Sequence, residues 1–381
     1  MRRAAVAALG ISAVVGCADL LGFKELQQAD SGSPDVMQPD VDQPDTVVGC
    51  QHASWPGDPD SGSSASPVSY DLAVHHVHLT QTPDGGAADF GFDLDHACTT
   101  DLASASCQPA KPSELITDHA GGVDNESIDL INKLIGQQSS IQNALSDDAI
   151  NGLIEGGNFT ILIRIYGLRS DQNQTSQQGL SVALQTAPHI VTAPPVWDGT
   201  DRWQVAASDT ALGLDGGSNY PAAKLVMGGW VNDGTLVATA EGPATLTIVL
   251  PAIGALTGVL PITLSQIVFT GKLSKRGDGQ YDITDGLISG RWAATNALES
   301  IASLTYDGGA LCSGANAFIY DFIQALACPK RDINAGGFDD DTHPCDAFSV
   351  VMEYDAVATT VANTPVPDPV STTPCPDAGG C

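Results

Sequence analysis

Alternation of apolar and polar residues predicts β-strands in three parts of the chain. Residues 70–80 and 159–166 each alternate over a full strand length. Between residues 224 and 292, several apolar runs are joined by turn sequences, among them Asp233-Gly234. An Asp-Gly turn between apolar runs is typical of a β-hairpin. We therefore expect consecutive antiparallel strands in this region.

Three other segments have apolar residues at helical spacing. They are residues 125–135, residues 141–154 with a break near Ser146, and residues 316–327. Asp124 stands where it can cap the first of these helices. The sequence as a whole predicts an α+β, β-rich fold: an antiparallel β-meander or sandwich-like sheet with a few packed helices.

Composition divides the chain into a tether, a globular region and a tail. Residues 24–67 have no sustained apolar period and contain repeated Pro-Asp pairs, so residues 17–67 are predicted to be a lipidated cysteine followed by an extended, disordered tether. Residues 68–358 are numerous enough and apolar enough for a β-rich globular domain. Residues 359–381 are rich in Pro and Thr and predict a C-terminal tail.

The first residues form the pattern of a secretory signal that ends in a cysteine. Arg2 and Arg3 precede an apolar run over residues 4–15, which is too short to span a bilayer, and Cys17 follows a glycine. In these residues the chain resembles a bacterial lipoprotein precursor with its lipobox. The alternative is an ordinary signal in which the cysteine is incidental.

The lipoprotein resemblance implies a lipid anchor and a location in the cell. Residues 1–16 would be removed, and Cys17 would carry diacylglycerol on its sulfur and an acyl chain on its amine. Because Ala18 follows where Asp would favour the inner membrane, the resemblance implies the outer membrane, on its periplasmic face or at the cell surface.

The net charge narrows the range of partners. Lys and Arg number 15 against 45 Asp and Glu, which gives a formal charge of −30. Such a surface repels nucleic-acid phosphates and anionic lipid headgroups. We expect no nucleic-acid partner, and we expect the lipid anchor to be the contact with the membrane.

The cysteines predict disulfides. Of nine cysteines, removing Cys17 leaves an even number, which is typical of an exported disulfide-bonded chain. Besides Cys50, the candidates are Cys98, Cys107, Cys312, Cys328, Cys345, Cys375 and Cys381. Short loops favour Cys98 with Cys107 and Cys375 with Cys381. The predicted helix between Cys312 and Cys328 holds those two apart, and Cys345 is a candidate partner for either. A zinc cluster is the rival, but no C-x-x-C pair occurs.

His76 and His78 form the most specific candidate for a pair of metal ligands. On a strand they project from one face, which we expect to be the face of Leu72 and Val74. This H-x-H resembles the first-strand motif of the amidohydrolase metal enzymes. That resemblance implies a metal-dependent hydrolase, but the family also needs strands that alternate regularly with helices, and the chain does not show them.

Carboxylates offer further candidate ligands. Asp93 and Asp95 lie on another predicted strand, residues 90–95, and could join the histidines. A second concentration of carboxylates lies at Asp339, Asp340 and Asp341. Its hard oxygen ligands suit Ca²⁺, although the spacing is not that of a D-x-D-x-D-G loop. We expect no cofactor, with Ca²⁺ or Zn²⁺ as alternatives at these residues.

Residues 242–271 carry no charge. The run is long enough to cross a bilayer, but its prolines and glycines favour buried strands. An apolar surface that binds a ligand is a third interpretation.

The common catalytic motifs do not occur. The sequence lacks G-x-S-x-G, Walker A, G-x-G-x-x-G and H-E-x-x-H patterns. These observations favour a non-enzymatic binding or structural role at the cell envelope, with an unknown protein, glycan or apolar ligand. The alternatives are a hydrolase that uses His76 and His78, and a carrier of lipid or a similar apolar molecule.

Overall fold

The chain forms the β-rich α+β fold that the sequence predicts. The computed structural model describes residues 50–60, 68–79, 90–137, 146–170, 176–214, 221–240, 246–251, 256–337, 339–368 and 380–381. The strands in this part are β1 (Ser69–His78), β2 (Thr160–Tyr166), β3 (Ser176–Ala187), β4 (His189–Ile190), β5 (Arg202–Gln204), β6 (Thr210–Leu214), β7 (Pro221–Ala223), β8 (Val226–Asn232), β9 (Thr235–Thr239), β10 (Leu246–Pro251), β11 (Leu256–Thr257), β12 (Val259–Lys275), β13 (Tyr281–Ala293), β14 (Thr305–Tyr306), β15 (Gly309–Ala310), β16 (Ala347–Ala358) and β17 (Thr360–Val361). The α-helices are α1 (Glu126–Gln137), α2 (Asp147–Glu155), α3 (Ala294–Ala302) and α4 (Ala317–Ala327).

Eight strands of the nine-stranded sheet form a closed ring. Their order is β12, β13, β16, β1, β2, β3, β8 and β9, and β9 pairs with β12 again. Phe269 opposite Ala238 is one pair of that closure. Every pairing in the ring is antiparallel, and β10 extends the sheet along the first half of β12.

One apolar cluster fills the inside of the ring, and all eight ring strands contribute to it. Phe269 and Tyr354 stack there with their ring centroids 5.4 Å apart, and Tyr354 Oη donates a hydrogen bond to Thr270 O at 2.9 Å. A Cβ atom at Gly286 would come within 2.3 Å of the Tyr354 ring, so a side chain has no room at this position. The inside of the ring is therefore a close-packed core.

The consecutive strands expected from residues 224–292 are present. Asp233 and Gly234, both at positive φ, make the turn between β8 and β9. The uncharged run contributes β10, β11 and most of β12, so the prediction of strands there is confirmed. Among the described residues, no helix is both long and apolar enough to cross a membrane.

The first strand departs from regular alternation. The pairing of β1 with β16 shifts between Val74 and His76, which marks a β-bulge. After the bulge, Val77 joins the interior cluster together with Leu72 and Val74. The expectation that His76 and His78 share the face of Leu72 and Val74 is therefore wrong, because one extra residue reverses the alternation.

The folded part begins earlier and ends later than composition suggests. Residues 50–60, assigned to the tether, pack on the sheet: Trp230 Nε1 donates to Pro56 O at 2.9 Å. In the predicted tail, β17 pairs with β5, and Val366 N donates to Val205 O at 2.9 Å. The boundaries at residues 67 and 358 are therefore corrected, because these polar segments bond to the sheet through their backbones.

Disulfides join distant parts of the fold. The described residues include the bridges Cys50–Cys98, Cys107–Cys345 and Cys328–Cys381, and Cys312 is disulfide-bonded as well. The pairings expected from short loops, Cys98 with Cys107 and Cys375 with Cys381, are wrong. Cys345 likewise pairs with neither Cys312 nor Cys328. Folding of the whole chain brings together partners up to 238 residues apart, which loop length does not predict.

Candidate functional site

A layer of irregular chain covers the outer face of the ring at β12, β13 and β16. We call it the loop layer; it consists of residues 50–60, 90–124 and 332–337. Trp55 and Phe92 meet edge to face in it, with centroids 5.7 Å apart. Phe92, Leu94 and Ile333 pack against Val268 of β12 and Ala347 of β16. This small apolar cluster attaches the loop layer to the sheet.

Three carboxylates of the loop layer converge. Asp93, Asp95 and Asp124 each offer an oxygen, and these oxygens lie within 4.8 Å of one another. Their relative exposures are 1%, 2% and 2%. We call these three residues the acidic cluster. The sequence had proposed Asp93 and Asp95 as ligands, but the structure joins them to Asp124 rather than to His76 and His78.

Backbone and hydroxyl groups orient the acidic cluster. Asp124 Oδ2 accepts hydrogen bonds from Leu94 N at 2.6 Å and Asp95 N at 3.3 Å. Asp95 accepts from Ala97 N at 3.0 Å and from Ser106 Oγ. Because the amides of Leu94 and Asp95 donate to Asp124 instead of to a neighbouring strand, residues 90–95 form an irregular loop and the predicted strand is wrong.

Asp93 is less completely bonded than its neighbours. Its Oδ2 accepts a hydrogen bond from His52 Nδ1, whereas its Oδ1 is buried and has no hydrogen-bond partner among the described residues. Gly122, at φ +71°, leaves room beside it: a Cβ there would lie 3.0 Å from Asp93 Oδ2 and 2.9 Å from Ala97 O. The chain thus approaches the cluster closely on a glycine.

Burial and mutual repulsion raise carboxyl pKa values in and around the cluster. Burial raises the pKa of Asp93 to about 7; the His52 hydrogen bond opposes this shift and the charge of Asp95 adds to it. Burial and the Asp95 charge raise the pKa of Asp118 to about 9. Removal from water raises the pKa of Asp332 to about 6 despite its bonds to Ser349. These groups favour a bound proton or cation.

Arg291, on the outer face of β13, ties the loop layer together. Its guanidinium is buried and donates to Leu94 O at 2.6 Å and to Asn334 O at 2.8 Å. It also forms two hydrogen bonds with Asp339, at 2.9 and 3.2 Å. One cation therefore joins two parts of the loop layer to the sheet, and its charge is balanced by Asp339.

His76 and His78 do stand together, but with other partners. Their rings are 4.5 Å apart. Asn151 Nδ2 donates to His76 Nε2 at 2.9 Å, and His78 Nδ1 lies 3.3 Å from Asp147 Oδ2. In the described part of the chain, two groups of three metal-binding side chains are found, and neither includes these histidines.

The other group of three metal-binding side chains, besides the acidic cluster, cannot supply thiolates. It consists of Cys50, His52 and Cys98. The two sulfurs form a disulfide, and the imidazole contacts Asp93. Cysteine binds zinc as a thiolate, which a disulfide does not supply, so these three residues together do not form a zinc site.

The acidic loop near the C-terminus does not gather its carboxylates. Asp339 pairs with Arg291. Asp340 accepts hydrogen bonds from the Thr342 hydroxyl, from His343 Nδ1 at 2.8 Å and from Thr342 N at 2.9 Å, and these bonds lower its pKa. Asp341 is exposed. The three side chains thus face different partners or water.

Sequence reasoning missed Asp124, Asp118 and Asp332. Asp124 stands just before an apolar helix. Its position was therefore interpreted as that of a helix cap, and it was not considered as a ligand. Its partner Leu94 is 30 residues away, so no local spacing connects them. The lipidation candidate Cys17 and the disulfide candidate Cys375 lie outside the described residues.

Comparisons of the chain with protein family models, curated proteins and solved structures found no match. The fold and the site therefore define the class by themselves. It is a disulfide-bonded, β-rich α+β domain that carries a buried acidic cluster on the outer face of a closed sheet.

Proposed function

We propose that this protein is a bacterial lipoprotein, held in the outer membrane through Cys17, whose folded domain has a binding or structural role at the cell envelope. The observation that carries the proposal is the N-terminal pattern of two arginines, a short apolar run and Cys17. An anchor with several acyl chains is stable where a single chain is not.

The disulfides support export. Bridges such as Cys107–Cys345 persist in oxidising compartments outside the cytosol. They also join segments that have little helix or strand of their own.

The chain between the anchor and the folded part supports a role at a distance from the membrane. Residues 18–49 are rich in proline and acidic residues. In our proposal this composition makes an extended linker, which at about 3 Å per residue would reach up to about 100 Å. We propose that the domain meets a protein, glycan or apolar ligand away from the lipid surface.

Two alternatives receive less support. A hydrolase that uses His76 and His78 would need imidazole nitrogens free for a metal, and Asn151 already occupies one of them. A lipid carrier would need a cavity, and the side chains of β12 that point into the ring, such as Phe269, pack in a filled core.

The anchor is tested by labelling cells with a palmitate analogue and fractionating their membranes. We expect the parent protein to be labelled and to sediment with the outer membrane. The Cys17→Ala variant should lose the label and leave the membrane fraction. Equal labelling and sedimentation of parent and variant would refute the proposal.

A matched variant at the next position separates anchoring from sorting. Ala18→Asp should keep the full palmitate label but move the protein to the inner membrane. Protease treatment of intact cells then distinguishes the cell surface from the periplasmic face. If Ala18→Asp stays in the outer membrane, the sorting part of the proposal is wrong and the anchor stands.

A further inference from the structure

The donors of the acidic cluster are hard oxygens. Asp93, Asp95 and Asp124 supply carboxylates, and the nearby sulfurs of Cys50 and Cys98 are oxidised to a disulfide. Oxygen donors without thiolate or free imidazole suit Ca²⁺ or Mg²⁺ rather than zinc or copper.

An unsatisfied oxygen lies in this group. Asp93 is 1% exposed, and its Oδ1 has no hydrogen-bond partner among the described residues. Its other oxygen is held by His52, which orients the carboxylate. Buried carboxylate oxygens are normally bonded, so one without a partner, close to two further carboxylates, points either to a proton shared between Asp93 and Asp95, in keeping with the raised pKa of Asp93, or to a bound cation.

Two cations of the described residues, Arg291 and Lys330, have other partners. Arg291 binds Leu94 O, Asn334 O and Asp339. Lys330 pairs with Glu126. Among the described residues, the ionisable side chain outside the acidic cluster that hydrogen-bonds to it is His52, whose side chain is 35% exposed. One imidazole cannot balance three ionised carboxylates, so the cluster needs bound protons or a bound cation.

The oxygens of the acidic cluster are close enough to converge on one ion. They lie within 4.8 Å of one another, and small side-chain movements would bring all three to the Ca–O distance of about 2.3–2.6 Å, with water or backbone carbonyls as further ligands. Calcium accepts irregular coordination, whereas Mg²⁺ needs near-ideal octahedral geometry at about 2.0–2.1 Å and keeps several waters. An irregular, buried group of carboxylates therefore suits calcium better than magnesium.

We propose that Asp93, Asp95 and Asp124 bind one Ca²⁺ ion, which holds the loop layer in its folded arrangement. The ion would join the start of α1, which follows Asp124, to the segment that the Cys50–Cys98 bridge ties to residues 50–60. The inference concerns the folded domain and does not depend on the lipid anchor.

The test uses the full-length protein in detergent, with CaCl₂ as the probe. After dialysis against calcium and removal of free ion, elemental analysis should find one calcium per chain. Thermal unfolding should shift upward relative to chelator-treated protein, by about 5 °C when calcium exceeds its Kd about 100-fold. MgCl₂ should give a smaller shift, and ZnCl₂ should not displace calcium.

Two Asp→Asn variants locate the site. Asp93→Asn should lose the calcium-dependent shift, yet in chelator it should melt no lower than the parent, because a buried charge is removed. Asp340→Asn, in the exposed acidic loop, should keep the whole shift. A parent without bound calcium or a shift would overturn the proposal, as would an Asp93→Asn variant that keeps the shift. If Asp93→Asn does not fold, the stoichiometry and shift of the parent decide, with Asp340→Asn showing whether the acidic loop is the site instead.

Discussion

Ile163, inside the ring, and Asp93, in the loop layer, are almost equally buried, with exposures of 0% and 1%. Burial of the isoleucine contributes about 2–3 kcal/mol to folding. Burial of the carboxylate costs several kcal/mol unless a partner compensates it. The ring is therefore stable through its own packing, whereas the loop layer depends on added links: two disulfides, the Arg291 guanidinium and, in our proposal, a cation.

The largest expected effect comes from placing a carboxylate, like those buried in the loop layer, inside the ring. Ile163→Asp places a carboxylate where the surrounding cluster is apolar, and we expect it to lower the free energy of unfolding by about 5 kcal/mol. Denaturant unfolding followed by near-ultraviolet circular dichroism measures the loss. The matched control, Ile163→Val, should cost about 1 kcal/mol. Similar stabilities for the two variants would show that the inside of the ring is not a packed core.

A smaller loss should follow when the loop layer loses its internal cation. Arg291→Met removes the donors to Leu94 O and Asn334 O and leaves Asp339 unpaired, at an expected cost of about 3 kcal/mol. Lys272→Met is the control, because Lys272 and Asp285 form an exposed pair with 65% and 66% side-chain exposure. That change should cost under about 0.5 kcal/mol. Equal losses in denaturant unfolding would contradict the role of Arg291.

The smallest expected effect is a pH dependence of the loop layer. In chelator, the raised pKa values of Asp118 and Asp332, about 9 and about 6 against 3.8, mean that the folded state binds more protons than the unfolded state. The contribution of these two carboxyls to the free energy of unfolding is therefore greatest below pH 3.8. It is lost as the pH rises towards 9.

Screening limits the size of this dependence. Both carboxyls are half-buried, so we expect about 1 kcal/mol between the ends of the range. Denaturant midpoints measured from pH 5 upwards test it, and Asp118→Asn should flatten the curve. A midpoint that rises with pH in the parent would contradict the assignment.

Much of the ring could be predicted from the sequence. Alternation around β2 and the turn at Asp233 and Gly234 are local signals, and both led to elements that the structure contains. The strands β3 and β16 were not predicted, although Met352, Tyr354 and Ala356 of β16 alternate into the core. Small and polar residues between such positions weaken the pattern.

Less of the candidate site could be predicted. Asp93 and Asp95 were proposed as ligands because they are two residues apart on a predicted strand, but that strand is a loop. Asp124, which completes the acidic cluster, was interpreted as a helix cap. Strand spacing accounted for Asp93 and Asp95, and helix capping accounted for Asp124. No sequence pattern indicated that the three side chains meet.

Local sequence was enough to locate strands such as β2 and helices such as α4, because the period of apolar residues that marks them depends on neighbours a few positions away. The tertiary structure alone decided the closure of β9 on β12, the pairing of Cys107 with Cys345 and the meeting of Asp124 with Asp93. The entropy of loop closure changes only slowly with loop length, so distance along the chain does not select such partners. They are selected by the packing of the whole domain, in which each contact is formed only when the others are.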